Sequence, residues 1–292
     1  MTEFEFIEEE KASFPVRVMC RALDASKSGY YESRRRGPSK QKERREALAK
    51  KVTTTYQASR QTYGSPRIRE ALVQQGEVVS EKTIASVMQE IGIIARPRRA
   101  YRVTTDSRFT KRIAPNLLDR NFTASRPNEV WVTDVTALPA LGGWVYLASI
   151  IDLYARRVVG WALSESNDTR LALDALGDAV RQRRPPSGLM HHSDRGSPYG
   201  SDDYVAELDR LGFVRSMSRK GNCWDNAVAE SFFSTLEHEC IQRRVFADIE
   251  HARSILVDYF DNFYNPVRLH STNGFKSPIV RELDFLSQPQ AA

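Results

Sequence analysis

Three acidic residues of this 292-residue sequence stand where a carboxylate is expensive. Asp134 interrupts the β-branched and aromatic run Val130-Trp131-Val132-Thr133. Asp194 follows a short strand in His192-Ser193-Asp194-Arg195-Gly196-Ser197, and Glu230 lies between Ala229 and the pair Phe232-Phe233. A carboxylate in apolar surroundings is costly unless it is paired or holds a cation. Three of them, each on a different element, point to a site for a hard divalent ion. Mg²⁺ prefers oxygen ligands and keeps several waters, so a few acids plus substrate phosphates suffice to hold it. Two such ions roughly 3.5–4 Å apart activate an attacking oxygen and steady a leaving one in an in-line phosphoryl transfer, with no protein nucleophile. Cys20, Cys223 and Cys240 form no Cys-x-x-Cys pair. They offer neither a soft-metal cluster nor a disulfide framework, as in a protein of a reducing compartment.

Several neighbours compete for roles in this chemistry. His191 and His192 precede Asp194, but adjacent strand residues point to opposite faces, so at most one can face the acids; the alternatives are ligation, sheet packing, or orientation of Asp194. Asp152 rivals Asp134 as a ligand or serves a turn. Asn222, Asp225 and Asn226 are placed to shape a loop and cap the helix of Glu230. Arg268 and His270 reach a substrate phosphate or pack the last helix. The tryptophans Trp131, Trp144, Trp161 and Trp224 read as core or loop anchors.

The elements that must position these groups follow from periodicity. From Glu129 onward the pattern is that of strands: one through Val130–Val135, a Gly142-Gly143 hairpin signal, then Trp144–Ile151 and Arg156–Leu163. A helix from Asp168 to Arg183, a strand Leu189–His192, a helix Ser201–Leu211 and a strand Phe213–Met217 come next. Helices capped by Asp225 and Asp248 run through Cys240 and Phe263. The order β-β-β-α-β-α-β-α predicts an α/β fold with a mixed sheet flanked by helices. Upstream the pattern is helical. Phe14–Leu23 forms a short helix, Ser28 caps a second through Arg34-Arg35-Arg36, and Gly37-Pro38-Ser39 stops it. A charged helix spans Lys40–Ala58 with Leu48, Val52 and Tyr56 on one face. Tyr63-Gly64-Ser65-Pro66 opens a helix bearing Ile68 and Leu72, and Ser80 caps another bearing Ile84, Val87, Met88 and Ile91. Two short helices across a Gly-containing turn fit a helix-turn-helix. The expected organisation is 1–45 N-terminal helical DNA-binding segment, 46–103 helix-turn-helix domain with basic arm, 104–127 linker, 128–285 catalytic core and 286–292 tail.

Charge divides along the same line. The chain carries net +6, but residues 1–125 hold 25 Lys+Arg against 15 Asp+Glu, leaving 18 against 22 for residues 126–292. Between residues 15 and 112 the balance is 23 against 9, the footprint of a surface that neutralises phosphates. Arg96, Arg98, Arg99 and Arg102, with Tyr101 among them, form an arm suited to a phosphate backbone or a minor groove. Arg34, Arg35, Arg36 and Arg67 complete the candidate DNA contacts, with Arg268 from the second half. The acidic N-terminus lacks a signal-peptide pattern and no run of about 18 apolar residues occurs, so the expectation is a soluble, cytoplasmic protein with no membrane partner.

Three segments carry a family resemblance: Trp131-Val-Thr-Asp-Val-Thr136, His192-Ser-Asp-Arg-Gly-Ser197, and Gly221 to Phe233 (Gly-Asn-Cys-Trp-Asp-Asn-Ala-Val-Ala-Glu-Ser-Phe-Phe). They resemble the catalytic blocks of the OrfB transposases of bacterial insertion sequences (insertion-sequence-three family), which share the ribonuclease-H-like core of retroviral integrases. Thirty-five residues lie between Asp194 and Glu230, the spacing of the D-D-(35)-E form. Tyr264-Asn-Pro-Val-Arg-Leu-His270 with Gly274-Phe-Lys-Ser-Pro278 is similar to the closing block, and Tyr63-Gly-Ser-Pro-Arg67 to the helix-turn-helix module.

The resemblance implies a metal-dependent DNA transposase. Asp134, Asp194 and Glu230 would be both catalytic residues and ligands of two Mg²⁺ ions, with Mn²⁺ able to substitute. Water would free a 3′-hydroxyl at the element's end, and that hydroxyl would join a second strand. The implied partners are double-stranded DNA (terminal repeats and target), an upstream OrfA-type subunit as frameshift fusion or partner, and further copies of the chain in a synaptic complex. One departure stands out: Glu237, seven residues after Glu230, replaces the Lys or Arg of many members, with Arg243 and Arg244 close in sequence as substitutes. The alternative function is therefore a catalytically impaired DNA-binding regulator or relic of the same element.

Overall fold

The computed structural model describes residues 2–36, 39–94, 112–219, 223–242 and 244–288, the side chains of residues 36 and 223 excepted. It comprises two compact units, Met1–Ala58 with Gly64–Ile94, and Ser59–Tyr63 with Ala95–Ala292.

The first unit is helical throughout its described residues: α1 (Glu3–Glu10), α2 (Val16–Ala22), α3 (Lys27–Arg36), α4 (Lys40–Ala58), α5 (Ser65–Gln74) and α6 (Glu81–Glu90). Helix α1 was not legible from apolar spacing. It forms because Thr2 and Glu5 close a capping box, the Thr2 hydroxyl accepting from the Glu5 amide and the Glu5 carboxylate from the Thr2 amide. Its Ile7 packs with Met19, Cys20 and Tyr30 into a small core. Ser28 does not cap α3 but lies inside it; the Ser26 hydroxyl accepts from the Gly29 amide instead. Helices α4, α5 and α6 pack together and bury Val52, Ile68, Leu72, Ile84, Val87 and Met88. Pro66 opens α5, and the Ser80 hydroxyl caps α6 by accepting from Thr83 N at 3.1 Å.

The second unit is built on five strands, β1 (Val130–Ala140), β2 (Gly143–Asp152), β3 (Arg157–Ser164), β4 (Met190–Ser193) and β5 (Val214–Met217), in the order β3-β2-β1-β4-β5. β1, β2 and β3 pair antiparallel, and β4 and β5 join β1 in parallel. The expected mixed sheet is thus the observed one. α7 (Thr169–Arg183), capped by Asp168, lays Leu171, Ala175, Leu176 and Ala179 against Ala148, Ile150 and Val159. Gly160 permits this approach, since a Cβ there would lie 2.4 Å from Ala179 N and 2.7 Å from Ala175 O. α8 (Asp202–Arg210) packs beside it through Tyr204 and Leu208, and Trp131 meets Phe213 edge-on at 5.9 Å.

After β5 come a 3₁₀ turn (Cys223–Asn226), α9 (Ala227–Leu236), α10 (Ile249–Tyr259) and α11 (Pro278–Ser287). The helix expected to run from Asp225 through Cys240 is α9 followed by a π turn at Glu237–Ile241, and a second π turn, Phe260–Tyr264, follows α10. Such turns widen the helix by one residue. Of the tryptophans, Trp131 is a core residue, whereas Trp144 and Trp224 are 56% and 70% exposed.

Candidate active site

The sheet presents its acids on the face that receives α9. Strand alternation sends Trp131 and Thr133 to the α7–α8 side, where Thr133 Oγ1 meets the Tyr199 hydroxyl at 3.2 Å. Asp134 therefore faces α9, and Asn226 at the start of that helix donates its Nδ2 to Asp134 Oδ2 at 3.0 Å. Asp134 Oδ1 accepts from the Val135 amide at 2.8 Å. Asp194 follows the end of β4, next to β1, with its Oδ1 taking the Gly196 amide at 2.8 Å. Glu230 comes from the first turn of α9.

The electrostatics tie the three together. Burial, then the charge of Asp194, then that of Glu230 push the Asp134 carboxyl well above the usual carboxylate range, against the Val135 amide that lowers it. Burial also raises Asp194, opposed by the Gly196 amide, and raises Glu230. Like charges in poor hydration resist joint ionisation. Among the described residues no group of three His, Cys, Asp or Glu side chains is close enough together to hold a metal ion as it stands. The donor set nonetheless suits a hard cation: carboxylate oxygens from three elements, and a buried amide oxygen, Asn226 Oδ1, with no donor among the described residues.

Asp225 does not cap α9. Its fully buried carboxylate accepts from Arg219 N (3.0 Å), Nε (2.8 Å) and Nη2 (2.9 Å), from Arg120 Nε (3.0 Å) and from Asn116 Nδ2 (3.0 Å). The side-chain bonds from Arg219 hold it well below its ordinary range. The cap position belongs to Asn226, whose side chain makes no capping bond. This cluster ties residues 116–120 to the turn that leads into α9, and sequence reasoning missed it because Asn116 and Arg120 lie over 100 positions from Asp225. Both histidines are committed to packing. His191 Nε2 meets the Tyr204 hydroxyl at 3.1 Å, and His192 bonds the Ser216 hydroxyl (2.9 Å) and the Asp225 carbonyl (3.0 Å). Burial lowers their pKa values to about 3 and about 4.

Other sequence-derived candidates lie away from the acids. Asp152 is buried, accepts from the Asn128 and Tyr154 amides at 2.6 and 2.9 Å, and is raised by burial to about 6; it secures a turn, as its alternative reading had it. Arg268 is 2% exposed and forms two 2.7 Å bonds with Glu239, whose Oε2 also accepts from the Tyr259 hydroxyl. The DNA-contact expectation for Arg268 gives way to packing, and His270, 3.2 Å from its guanidinium, packs with it. Arg34 and Arg35 are exposed on α3, Arg34 lying 3.5 Å from Glu8; Arg67 is half-buried on α5. Arg96, Arg98, Arg99, Arg102, Asn222, Arg243 and the Arg36 side chain lie outside the described residues. Glu237 opens the π turn and is half-buried, and Arg244 is exposed. No described helix is long and apolar enough to cross a membrane.

Comparison with known proteins adds family context. Integrase core domain families match residues 124–223 and 211–278, and an HTH-like domain family matches residues 43–101. The chain is 39% identical over 260 residues to an uncharacterized 31 kDa protein of insertion element IS600 of Shigella sonnei, covering 89% of this chain and 96% of that one. It is 38% identical to transposase InsF for insertion sequence IS3A of Escherichia coli strain K12, over 94% of this chain and 96% of that one. A simian T-cell lymphotropic virus intasome superposes with a TM-score of 0.47 and 14% identity, over 76% of this chain and 72% of that chain.

Proposed function

The chain belongs to the insertion-sequence transposases of the IS3 family, and on that premise we propose that it cleaves DNA at the ends of an element and transfers the freed strand to a target through Asp134, Asp194 and Glu230. The observation that carries this reading is the placement of the three acids: Asp134 lies on β1, Asp194 just past the end of the neighbouring β4, and Glu230 in the first turn of α9, which packs on β1 and is tied to Asp134 through Asn226. They come from β1, the end of β4 and α9 at the spacing of the D-D-(35)-E group. Two divalent ions, Mg²⁺ with Mn²⁺ as substitute, would be held by these carboxylates and would supply activation of the attacking oxygen and neutralisation of the leaving one.

The protein's own part is orientation. Asn226 and the Val135 amide fix the two oxygens of Asp134, and the Gly196 amide fixes one of Asp194. The Asp225 cluster anchors the turn before α9 and so the height at which Glu230 meets the sheet. Held in line, a water attacks the phosphodiester at the element's end and the bond to the 3′-oxygen breaks. The released 3′-hydroxyl then attacks a target phosphodiester, loses its proton and forms the joint as the target's own 3′-oxygen leaves. Positioning of this kind is the larger share of catalysis in phosphoryl transfer. The helical first unit, with Arg34, Arg35, Arg36 and Arg67, and the arm of Arg96, Arg98, Arg99 and Arg102 would hold the terminal repeats, with an OrfA-type subunit and further copies of the chain completing the synaptic complex. The domain limits are proposed as 1–45, 46–103, 104–127, 128–285 and 286–292.

The test is a strand-transfer assay on terminal-repeat DNA with Mg²⁺. Asp134→Asn and Glu230→Gln should each abolish joining while leaving repeat binding intact. Joining at wild-type rate by both variants would refute the assignment. Tight repeat binding by the wild type with no cleavage, even with Mn²⁺ and the upstream subunit, would favour the regulator reading that Glu237 raised.

A further inference from the structure

Asn226 occupies the N-cap of α9 and does not behave as a cap. An asparagine there ordinarily turns its side-chain oxygen back to an amide of the first helical turn. This one makes no such bond. Its Nδ2 reaches across to Asp134 Oδ2 at 3.0 Å, and its Oδ1 lies buried with no hydrogen-bond donor among the described residues. The residue as a whole is 6% exposed. Exchanging the two amide atoms would not help, because it would set a carbonyl oxygen against a carboxylate oxygen.

A buried carbonyl with an unmet lone pair is costly, and where one persists an ion or water commonly accounts for it. Here the amide that carries it is bonded to Asp134, on the strand beside β4, which leads to Asp194, and it stands at the start of α9, which carries Glu230. A positive partner would suit it, and a hard one, because the ligating atoms that Asp134, Asp194, Glu230 and this amide can offer are oxygens.

We propose that Asn226 Oδ1 is a further ligand of the divalent cation held by Asp134, Asp194 and Glu230, a role that rests on the metal reading given above. The amide then works at both ends: its oxygen meets the cation while its NH₂ pins the Asp134 oxygen. The same amide explains why α9 forgoes its side-chain cap, since Oδ1 cannot serve a helix amide and the cation together.

The experiment titrates Mn²⁺ into the metal-free full chain by calorimetry, with the fall of the free-ion electron paramagnetic signal as a second readout. The wild type is compared with Asn226→Ala, Asn226→Asp and Asp134→Asn. Circular dichroism and repeat binding check the fold of each. Loss of a ligand-supporting group commonly costs about 10–100-fold in affinity, so Asn226→Ala should bind Mn²⁺ at least about tenfold more weakly. Asn226→Asp, which keeps an oxygen but loses the NH₂, should bind at least as tightly as wild type. Wild-type affinity in Asn226→Ala, or equal weakening in Ala and Asp variants, would overturn the proposal; the second result would assign Asn226 to holding Asp134 alone. Should Asp134→Asn also bind like wild type, or the wild type bind nothing, the metal reading itself would fall.

Discussion

Replacing Asp225 with Asn attacks the contact that seats α9, and its cost can be worked from the geometry. Five donors converge on the buried carboxylate at 2.8–3.0 Å: three from Arg219, one from Arg120 and one from Asn116. An asparagine keeps one carbonyl oxygen, and its NH₂ faces donors. Removing one partner of a buried ion pair costs about 3–5 kcal/mol. The Arg120 and Arg219 side chains are 47% and 48% exposed and can rehydrate, so the low end, about 3 kcal/mol, applies. For a unit of this size that is a fall in Tm of about 6–12 °C. The pH dependence has a definite sign. The native partners depress the Asp225 pKa below its ordinary 3.8, so its stabilisation is complete well above that value and is lost as pH falls through and below it. Thermal unfolding followed by circular dichroism from pH 7 to pH 3.5 should show the gap between wild type and variant full at pH 7 and narrowing below about pH 4. A Tm difference under about 2 °C at neutral pH, or a gap that stays constant into acid, would refute the reasoning.

Further outcomes follow from the same structure. Asp134→Asn should raise the Tm of the metal-free protein at pH 7. The folded state raises the Asp134 pKa, so its ionised form is a penalty at neutral pH that is relieved as pH falls toward the unfolded value of 3.8. The advantage of the variant should shrink in differential scanning fluorimetry at pH 5, and an unchanged or lower Tm at pH 7 would contradict the account. Gly160→Ala forces a methyl to within 2.4 Å of the α7 backbone and should cost about 1–3 kcal/mol in urea unfolding through overpacking; a neutral result would mean α7 can shift freely. Arg268→Met leaves the Glu239 carboxylate buried without its cation and should cost about 3–5 kcal/mol. In repeat-binding titrations on whatever protein still folds, the slope of log affinity against log salt should match wild type, whereas a lost phosphate contact would reduce it by about 0.9.

Much of the site was readable before any fold was in hand. Asp134, Asp194 and Glu230 stood out because ionised groups are rare in apolar stretches, and that cost is a property of the residue and its immediate neighbours. The mixed sheet was legible for a related reason: alternation in Val130–Val135, the Gly142-Gly143 signal and the 3.6-residue spacing of α7 are local patterns. Local chemistry also misled. Asp225 looked like a cap from its position, and Arg268 like a free cation from its charge. Whether a carboxylate turns to its own helix or to an arginine brought from residue 120 is decided by what packs beside it.

The sequence by itself determined which residues could bear charge at a cost, where the chain would alternate or wind, and how basic and acidic segments divide along its length. These depend on covalent neighbours and on periods of two and 3.6 residues. Only the tertiary structure decided that β1, the end of β4 and α9 bring three acids into one field. It also decided that Asn226 gives up its cap to reach Asp134, and that Glu239, carried by a π turn, meets Arg268 in the interior. Those outcomes depend on distances between residues tens to a hundred positions apart. Chain closure and packing set such distances, and no local pattern encodes them.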